Sequence, residues 1–223
     1  MSTPALFKWQ HFLPEIILLN VRWYCCYSLS YRDLEKMMQE REVELDHSTL
    51  NRWVLKYAPE LDKRIRRHLK LTTDSWRVDE TYIKIKGVWK YLYSAVDSEG
   101  SSLDFMLSDK WDGKAAARCF RKVLKGQHIQ APRVITVDKK AAYPVAMEAL
   151  KEDETIGKET QLRQSKYLNN IVEQDHWNIK RIVKLRMGFK TFNSVRRTLS
   201  RIEAMNMIRK GQVNGIAQGS NVS

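Results

Sequence analysis

Three strand-like runs in succession constrain this chain most: WRVDETYIKIKG from Trp76, VWKYLYSAVDSEG from Val88 and SSLDFMLSD from Ser101. In each, apolar or β-favouring residues alternate with polar ones, and Lys86-Gly87 and Ser98-Glu99-Gly100 supply the turns between them. An antiparallel meander follows from that pattern. Beyond it, Asp112 is placed to cap a helix through KAAARCFRKVL, PRVITVD reads as a short apolar strand ending in an acid, and residues 140–151 read as another helix. TIGKETQLRQ has room for one more strand. Two basic helices close the pattern, roughly residues 166–185 and 191–210, with Gly188 marking the break between them, and the tail GQVNGIAQGSNVS is expected to be disordered.

Before residue 70 the period is helical. A mostly apolar helix is expected over residues 15–27, and Ser30 can cap a second with Tyr31, Leu34, Met37 and Met38 on one face. After VELDH, either Ser48 or Asp46 can cap STLNRWVLKYA, where Leu50, Trp53, Val54 and Tyr57 recur at helical spacing, and Pro59 is expected to end that helix. Two short amphipathic helices joined by a few residues have the form of a helix-turn-helix. Ser48, Thr49, Asn51, Arg52 and Lys56 lie off the apolar face of the second, where they can reach base edges and phosphates from a major groove. The same pattern also describes a plain helical bundle with an exposed polar face.

The charge favours the first reading. Lys and Arg number 39 against 26 Asp and Glu, a net charge of +13, which suits a polyanionic partner. A basic linker, Lys63, Arg64, Arg66, Arg67 and Lys70, adds to it. The organisation expected is a helix-turn-helix domain over 1–70, a second domain over 71–211 with basic C-terminal helices, and a tail over 212–223. Strand, strand, strand, helix, strand, helix, strand, helix is an α/β order: a mixed sheet flanked by helices, as in ribonuclease-H-like folds, here preceded by the all-α head.

Several classes drop out. FLPEIILLNVRWYCCY is interrupted by Glu15 and Arg22 and is too short to span a bilayer, and the first residues lack the pattern of a secretory signal. A cytoplasmic protein with no membrane partner is the expectation. Cys25, Cys26 and Cys119 give neither a disulfide framework nor a zinc spacing, and are read as small core residues.

Three acids stand out. Asp79 sits inside the strand WRVDETYIKI, Asp138 lies where VITVD runs out, and Glu173 opens a helix at the head of NNIVEQDHWNIKRIVKLRMGF. Carboxylates gathered from two strands and a helix are hard oxygen ligands suited to Mg²⁺, and a two-metal site stabilises both the attacking and the leaving oxygen of an in-line displacement. Each acid also has a structural reading. Asp79 and Asp138 can be turn or cap carboxylates, and Glu173 suits the positive end of its helix. Glu80, Asp97, Asp104, Asp109, Asp112 and Asp175 compete for the same role, most of them in turn or cap contexts. Seven residues after Glu173, on the same helical face, comes Lys180; with Arg181 and Lys184 it is expected to meet DNA phosphates. Trp177, Phe189 and Phe192 interleave with these charges and are read as core.

YSLSYRDLEKMMQEREVELDHSTLNRWVLKYAPEL, WRVDETYIKIKGVWKYLYSAVDSEG, VITVDKKAAY and SKYLNNIVEQDHWNIKRI together resemble the DDE transposases of bacterial insertion sequences, most closely the cointegrate-forming IS6/IS26 group. Asp79, Asp138, Glu173 and Lys180 match the family's motif positions, with 58 residues between the first two acids and 34 between the last two. The resemblance implies Mg²⁺ or Mn²⁺ held by Asp79, Asp138 and Glu173 as the catalytic residues. It also implies terminal inverted repeats and target DNA as double-stranded partners, 3′-end cleavage followed by strand transfer, and a homo-oligomer in the synaptic complex. Lys139 and Lys140 are more basic than the pattern leads one to expect after the second acid. A sequence-specific DNA-binding regulator, or a catalytically inactive derivative, is the alternative, and a ribonuclease H or resolvase-type nuclease a third reading.

Overall fold

The computed structural model describes residues 5–8, 10–165, 170–184 and 191–219. The head consists of α1 (Pro14–Cys26), α2 (Tyr31–Gln39) and α3 (His47–Arg66). Ser30 starts α2 with a reciprocal pair: its hydroxyl accepts the Asp33 N–H at 3.1 Å while the Asp33 carboxylate accepts the Ser30 N–H at 2.8 Å. Asp46, not Ser48, caps α3, accepting the N–H groups of Ser48 and Thr49 at 3.1 and 3.3 Å.

Pro59 does not end α3, which runs on to Arg66. A proline removes one helical donor and crowds the carbonyl four residues back. Here that carbonyl belongs to Leu55, on a solvent-facing turn, while Tyr57, Ala58 and Ile65 on either side stay buried in the head's core and hold the helix through the defect. The supposed linker residues Lys63, Arg64 and Arg66 are therefore the last turn of α3.

The sheet contains β1 (Ser75–Ile85), β2 (Val88–Asp97) and β3 (Ser102–Ser108), then β4 (Val134–Val137) after α4 (Gly113–Leu124), and β5 (Gln161–Gln164) after α5 (Ala142–Glu152). Two helices follow, α6 (Asn170–Lys184) and α7 (Phe192–Arg209); the break expected at Gly188 lies outside the described residues. Strand order is β3-β2-β1-β4-β5, with β1, β2 and β3 antiparallel in turn and β4 and β5 parallel to β1. This is the ribonuclease-H-like arrangement expected. Lys86 and Gly87, at φ 50° and 81°, form a two-residue turn whose twist suits the strands it joins.

The central strand serves two cores. Trp76 and Val78 of β1 pack with Tyr93 and Ala95 of β2 against α4 and α5, whereas Ile83 and Ile85 pack with Leu92, Phe105 and Leu107 against α6 and α7.

Helix α7 joins the sheet to the head. Val195, Leu199 and Ile202 lie in the sheet's second core, while Ala204, Met205, Met207 and Ile208 complete the core of the head. Gly211, at φ 71°, then ends the helix: its N–H bonds Ile208 O at 2.9 Å and the Gln212 N–H bonds Met207 O at 3.0 Å. Of the tail expected to be disordered, residues 212–219 fold back instead, and 220–223 lie outside the described residues. Gln212 and Val213 are buried, the Lys70 N–H donates to Gln212 O, and the Asn214 N–H donates to His68 O. A valine that fills the head's core and a glutamine amide that pairs with both backbone groups of Ser102 give residues 212–219 a reason to order. Residue 70 still separates helices from strands, but the head's core is finished by residues from beyond it.

Candidate active site

The parallel register of β1 and β4 pairs Ser75 with Val134 and Arg77 with Thr136. Carried two residues further, it brings Asp79 level with Asp138, which directly follows β4. Glu173 comes to the same place from α6, in whose first turn it lies. That helix is seated by two residues on its inner side. His176 is buried with Nδ1 3.6 Å from Asp79 Oδ2, and Asp175 accepts from Lys210 Nζ at 2.6 Å and from Ser102 Oγ at 3.2 Å. Glu173, His176 and Lys180 share one helical face and, with Asp79, Gln174 and Trp177, line one open cleft.

The charges in that cleft and those beside it, Asp138 and Lys140, act on one another. Burial first, then the carboxylates of Asp138 and Glu173, push the Asp79 carboxyl up to about 6, against the opposing pull of Lys140 and Lys180. Burial and the Lys180 ammonium hold His176 down at about 4, so the imidazole is neutral at neutral pH. Its contact with Asp79 is then no ion pair, and at 3.6 Å it is too long for a hydrogen bond. His176 packs against the acid and excludes water from one side of it.

Three carboxylates with a surplus of negative charge and no soft ligand form a donor set that fits a hard divalent cation. Their oxygens do not converge on one point. Among the described residues only Glu35, Asp46 and His47, partly exposed in the head, bring three such ligand atoms within 4.8 Å of one another. The spread of Asp79, Asp138 and Glu173 does not conflict with the donor chemistry, since a two-metal site does not require every carboxylate on the same ion. The head group is already explained as His47 Nδ1 lying 3.2 Å from Glu35 and 3.1 Å from Asp46.

Glu80, one of the competing acids, lies beside the site with its side chain only 1% exposed. It follows Asp79 on β1 and so points to the opposite face, where the Tyr143 hydroxyl donates to it and the Lys140 ammonium pairs with it. Lys140 Nζ also lies 3.8 Å from Asp138, which accounts for the basic step after the second acid: that lysine serves two carboxylates. The strand alternation Trp76, Val78, Glu80 was the available signal, because it puts Glu80 on a helix-covered face. For His176 the signal was its place three residues after Glu173. The remaining competitors are structural. Asp97 binds the Thr73, Glu99 and Ser101 N–H groups, Asp104 pairs with Lys122, Asp109 with Lys90, and Asp112 caps α4.

Trp177 was expected in the core and is not. It is 64% exposed, with the Arg181 guanidinium 5.6 Å from its ring centroid. Helical spacing alone did not decide which way it faces; its neighbours Val172, Ile179 and Ile182 take the buried side. Phe192 packs partly buried against the sheet's second core, and Phe189 lies outside the described residues. Lys180 and Arg181 are exposed, Lys180 in the cleft; Lys184 ends α6 and its side chain lies outside the described residues.

In the head, Ser48, Arg52 and Lys56 are exposed along one face of α3, with Thr49 and Asn51 half-buried beside them. Arg52 Nη2 donates to Thr49 Oγ1 at 2.8 Å, Ser48 Oγ bonds the capping Asp46, and Lys56 Nζ lies 5.0 Å from the Tyr57 ring centroid. The connection from α2 to α3 spans residues 40–46, longer than the three or four residues of a tight helix-turn-helix.

A family profile described as a DDE domain, of the IS240 transposase type, matches residues 73–212. The transposase for the insertion sequence-like element IS431mec of Staphylococcus aureus is 37% identical over 204 residues, covering 92% of this chain and 88% of that protein. The transposase for insertion sequence element IS257 in transposon Tn4003, also from Staphylococcus aureus, is 36% identical over the same shares. Among solved structures, the HTLV-2 integrase catalytic core domain in complex with magnesium (dimeric form) covers 67% of this chain and 94% of its own at a TM-score of 0.48 and 15% identity.

Proposed function

This chain belongs to the DDE transposases of IS6-type insertion sequences, enzymes that cut and join DNA, and on that premise we propose that it acts on the terminal inverted repeats of its element. The proposed reaction is hydrolysis at the 3′ end of each terminus, then attack of the freed 3′-hydroxyl on target DNA, which leaves a cointegrate. The observation that carries this reading is Asp79, level with Asp138 and charge-coupled to Asp138 and Glu173 across β1, β4 and α6.

Asp79, Asp138 and Glu173 would hold Mg²⁺ or Mn²⁺, which when bound offsets the charge on the attacking and leaving oxygens of an in-line phosphoryl transfer. Neutral His176 keeps the Asp79 carboxylate fixed and half-dry. Lys180, at the rim of the cleft, and Arg181 beside it grip the DNA backbone, and Lys184 continues that basic line. Exposed Trp177 offers a flat face to a sugar or an unpaired base next to the cut.

In the head, α3 enters a major groove of the repeat. Ser48, Thr49, Asn51, Arg52 and Lys56 divide base edges and phosphates between them. Residues 1–70 are the reading domain and 71–211 the cutting domain, with α7 shared. Two ends must be held at once, so a homo-oligomer assembles on the DNA, in the bacterial cytoplasm.

The test is direct. Purified protein with end-labelled element termini and Mg²⁺ is expected to yield a nick carrying a 3′-hydroxyl, and a chelator is expected to abolish it. Specific binding with no nick under Mg²⁺ or Mn²⁺ would mean a DNA-binding regulator instead.

A further inference from the structure

A second basic site lies away from the carboxylate cleft. A cavity of about 300 Å³ opens where α3, β3, α4 and α7 meet. Two acids line it, and both are taken: Asp62 by Arg66 at 3.1 Å, and Asp104 by Lys122 at 2.8 Å with Arg66 at 3.7 Å. Three arginines of α7 line it as well, Arg196, Arg197 and Arg201. Among the described residues, no carboxylate lies within 4.0 Å of any of the three. The cavity therefore carries positive charge that the fold does not balance.

Arg201 sharpens the point. It is only 6% exposed, and its Nε and Nη2 have no hydrogen-bond partner among the described residues. Burial pulls its guanidinium below the ordinary arginine range, against the opposing pull of Cys25, Tyr31 and Tyr24 in the head and with the like charge of Arg197 one helical turn away. A buried guanidinium with unmet donors is costly unless an anion completes it. Arginine's planar fork of donors matches phosphate oxygens, and exposed Arg196 and Arg197 at the mouth would steer such a group inward. The nearest structural alternative, an internal ion pair, is not made, since Asp62 and Asp104 pair with Arg66 and Lys122 and not with these arginines.

We propose that this cavity binds a phosphate group through Arg196, Arg197 and Arg201. The group is either a backbone phosphate of bound DNA or free inorganic phosphate. Its position at the seam of α3 and α7 favours DNA, since a backbone phosphate seated there would pin the end of the reading helix to the sheet that carries Asp79. The DNA source rests on the reading given above; the anion site does not.

The test uses the full chain and two variants, Arg197→Gln at the exposed mouth and Arg201→Met, which keeps the apolar stem while removing the charge. Labelled duplex is titrated across a salt series, and melting is followed with and without inorganic phosphate. For a DNA phosphate, both variants bind duplex at least about fivefold more weakly, with a salt slope shallower by about 0.9 for one lost contact. For free phosphate, duplex binding is unchanged but the phosphate-dependent rise in melting temperature seen in the wild type is lost in both variants. In phosphate-free buffer Arg201→Met melts no lower than the wild type, because an unpaired buried charge has gone; a merely structural arginine would lower it. Wild-type duplex affinity, salt slope and phosphate response in both variants would overturn the proposal. A wild type that binds no duplex at any salt would remove the DNA reading, while the phosphate arm would still decide the cavity.

Discussion

At the scale of single residues, the acids at the site separate by the face of β1 they occupy. Asp79 and Glu80 are neighbours in sequence and face opposite layers, one toward α6 and one toward α5. That division was legible from alternation, yet Glu80 stood only among the competing acids, and a sequence does not reveal Tyr143 and Lys140 converging on it from α5 and its approach. The partners make Glu80 testable. Tyr143→Phe removes one hydrogen bond to a carboxylate whose side chain is only 1% exposed, and should cost about 1–3 kcal/mol in urea unfolding. A cost below about 0.5 kcal/mol would mean that Glu80 is satisfied elsewhere. Glu203 gives a pH-dependent prediction. Burial, then the nearby Asp175 carboxylate, raises its carboxyl above its ordinary value of 4.5. The folded state therefore holds a proton that the unfolded state has already released, and stability falls as pH rises above that ordinary value, by at most about 1.4 kcal/mol per pH unit for one group. Glu203→Gln should flatten that stretch of the stability profile, measured by urea midpoints at a series of pH values; an unchanged slope would assign the dependence to other groups.

At the scale of elements, most of the fold could be read in advance, because its signals are local. The meander, the Ser30 and Asp112 caps and the Lys86-Gly87 turn all act within a few residues of where they are written. What could not be read depends on distant contacts. Pro59 sits in a helix kept whole by burial on both sides of it, and residues 212–219 order because the far-off head leaves room for Val213. The end of α7 was nonetheless legible, since the helix expected over residues 191–210 stops directly before Gly211. Gly211→Ala places a Cβ 2.7 Å from the Gln218 backbone nitrogen at a φ that alanine avoids. It should cost more than about 1 kcal/mol, seen as a lower melting temperature. A wild-type melt would show that the turn at Gly211 can shift freely. Trp177 illustrates the other limit, since a helix with one apolar stripe leaves the orientation of a single aromatic open until the sheet beneath it is known.

At the scale of the whole molecule, α7 makes one cooperative unit of what the sequence divides at residue 70. Ala204, Met205, Met207 and Ile208 close the core of the head from the far end of the chain. A fragment of residues 1–70 should therefore lack a stable fold, while the full chain melts in a single transition; a fragment with native-like helicity and sharp unfolding would restore an independent head. The surplus of basic charge, +13, has three proposed uses: the exposed face of α3, the grip of α6 beside the acids and the arginines of α7 at the seam. The acids remain the centre of the proposed chemistry. The most direct test incubates labelled element ends and Mg²⁺ with the wild type and with Asp79→Ala, Asp138→Ala and Glu173→Ala. Each variant should lose the 3′-hydroxyl nick by about 10³-fold or more while keeping wild-type end binding, since three residues acting as one unit fail together. Cleavage at the wild-type rate in all three variants would contradict it.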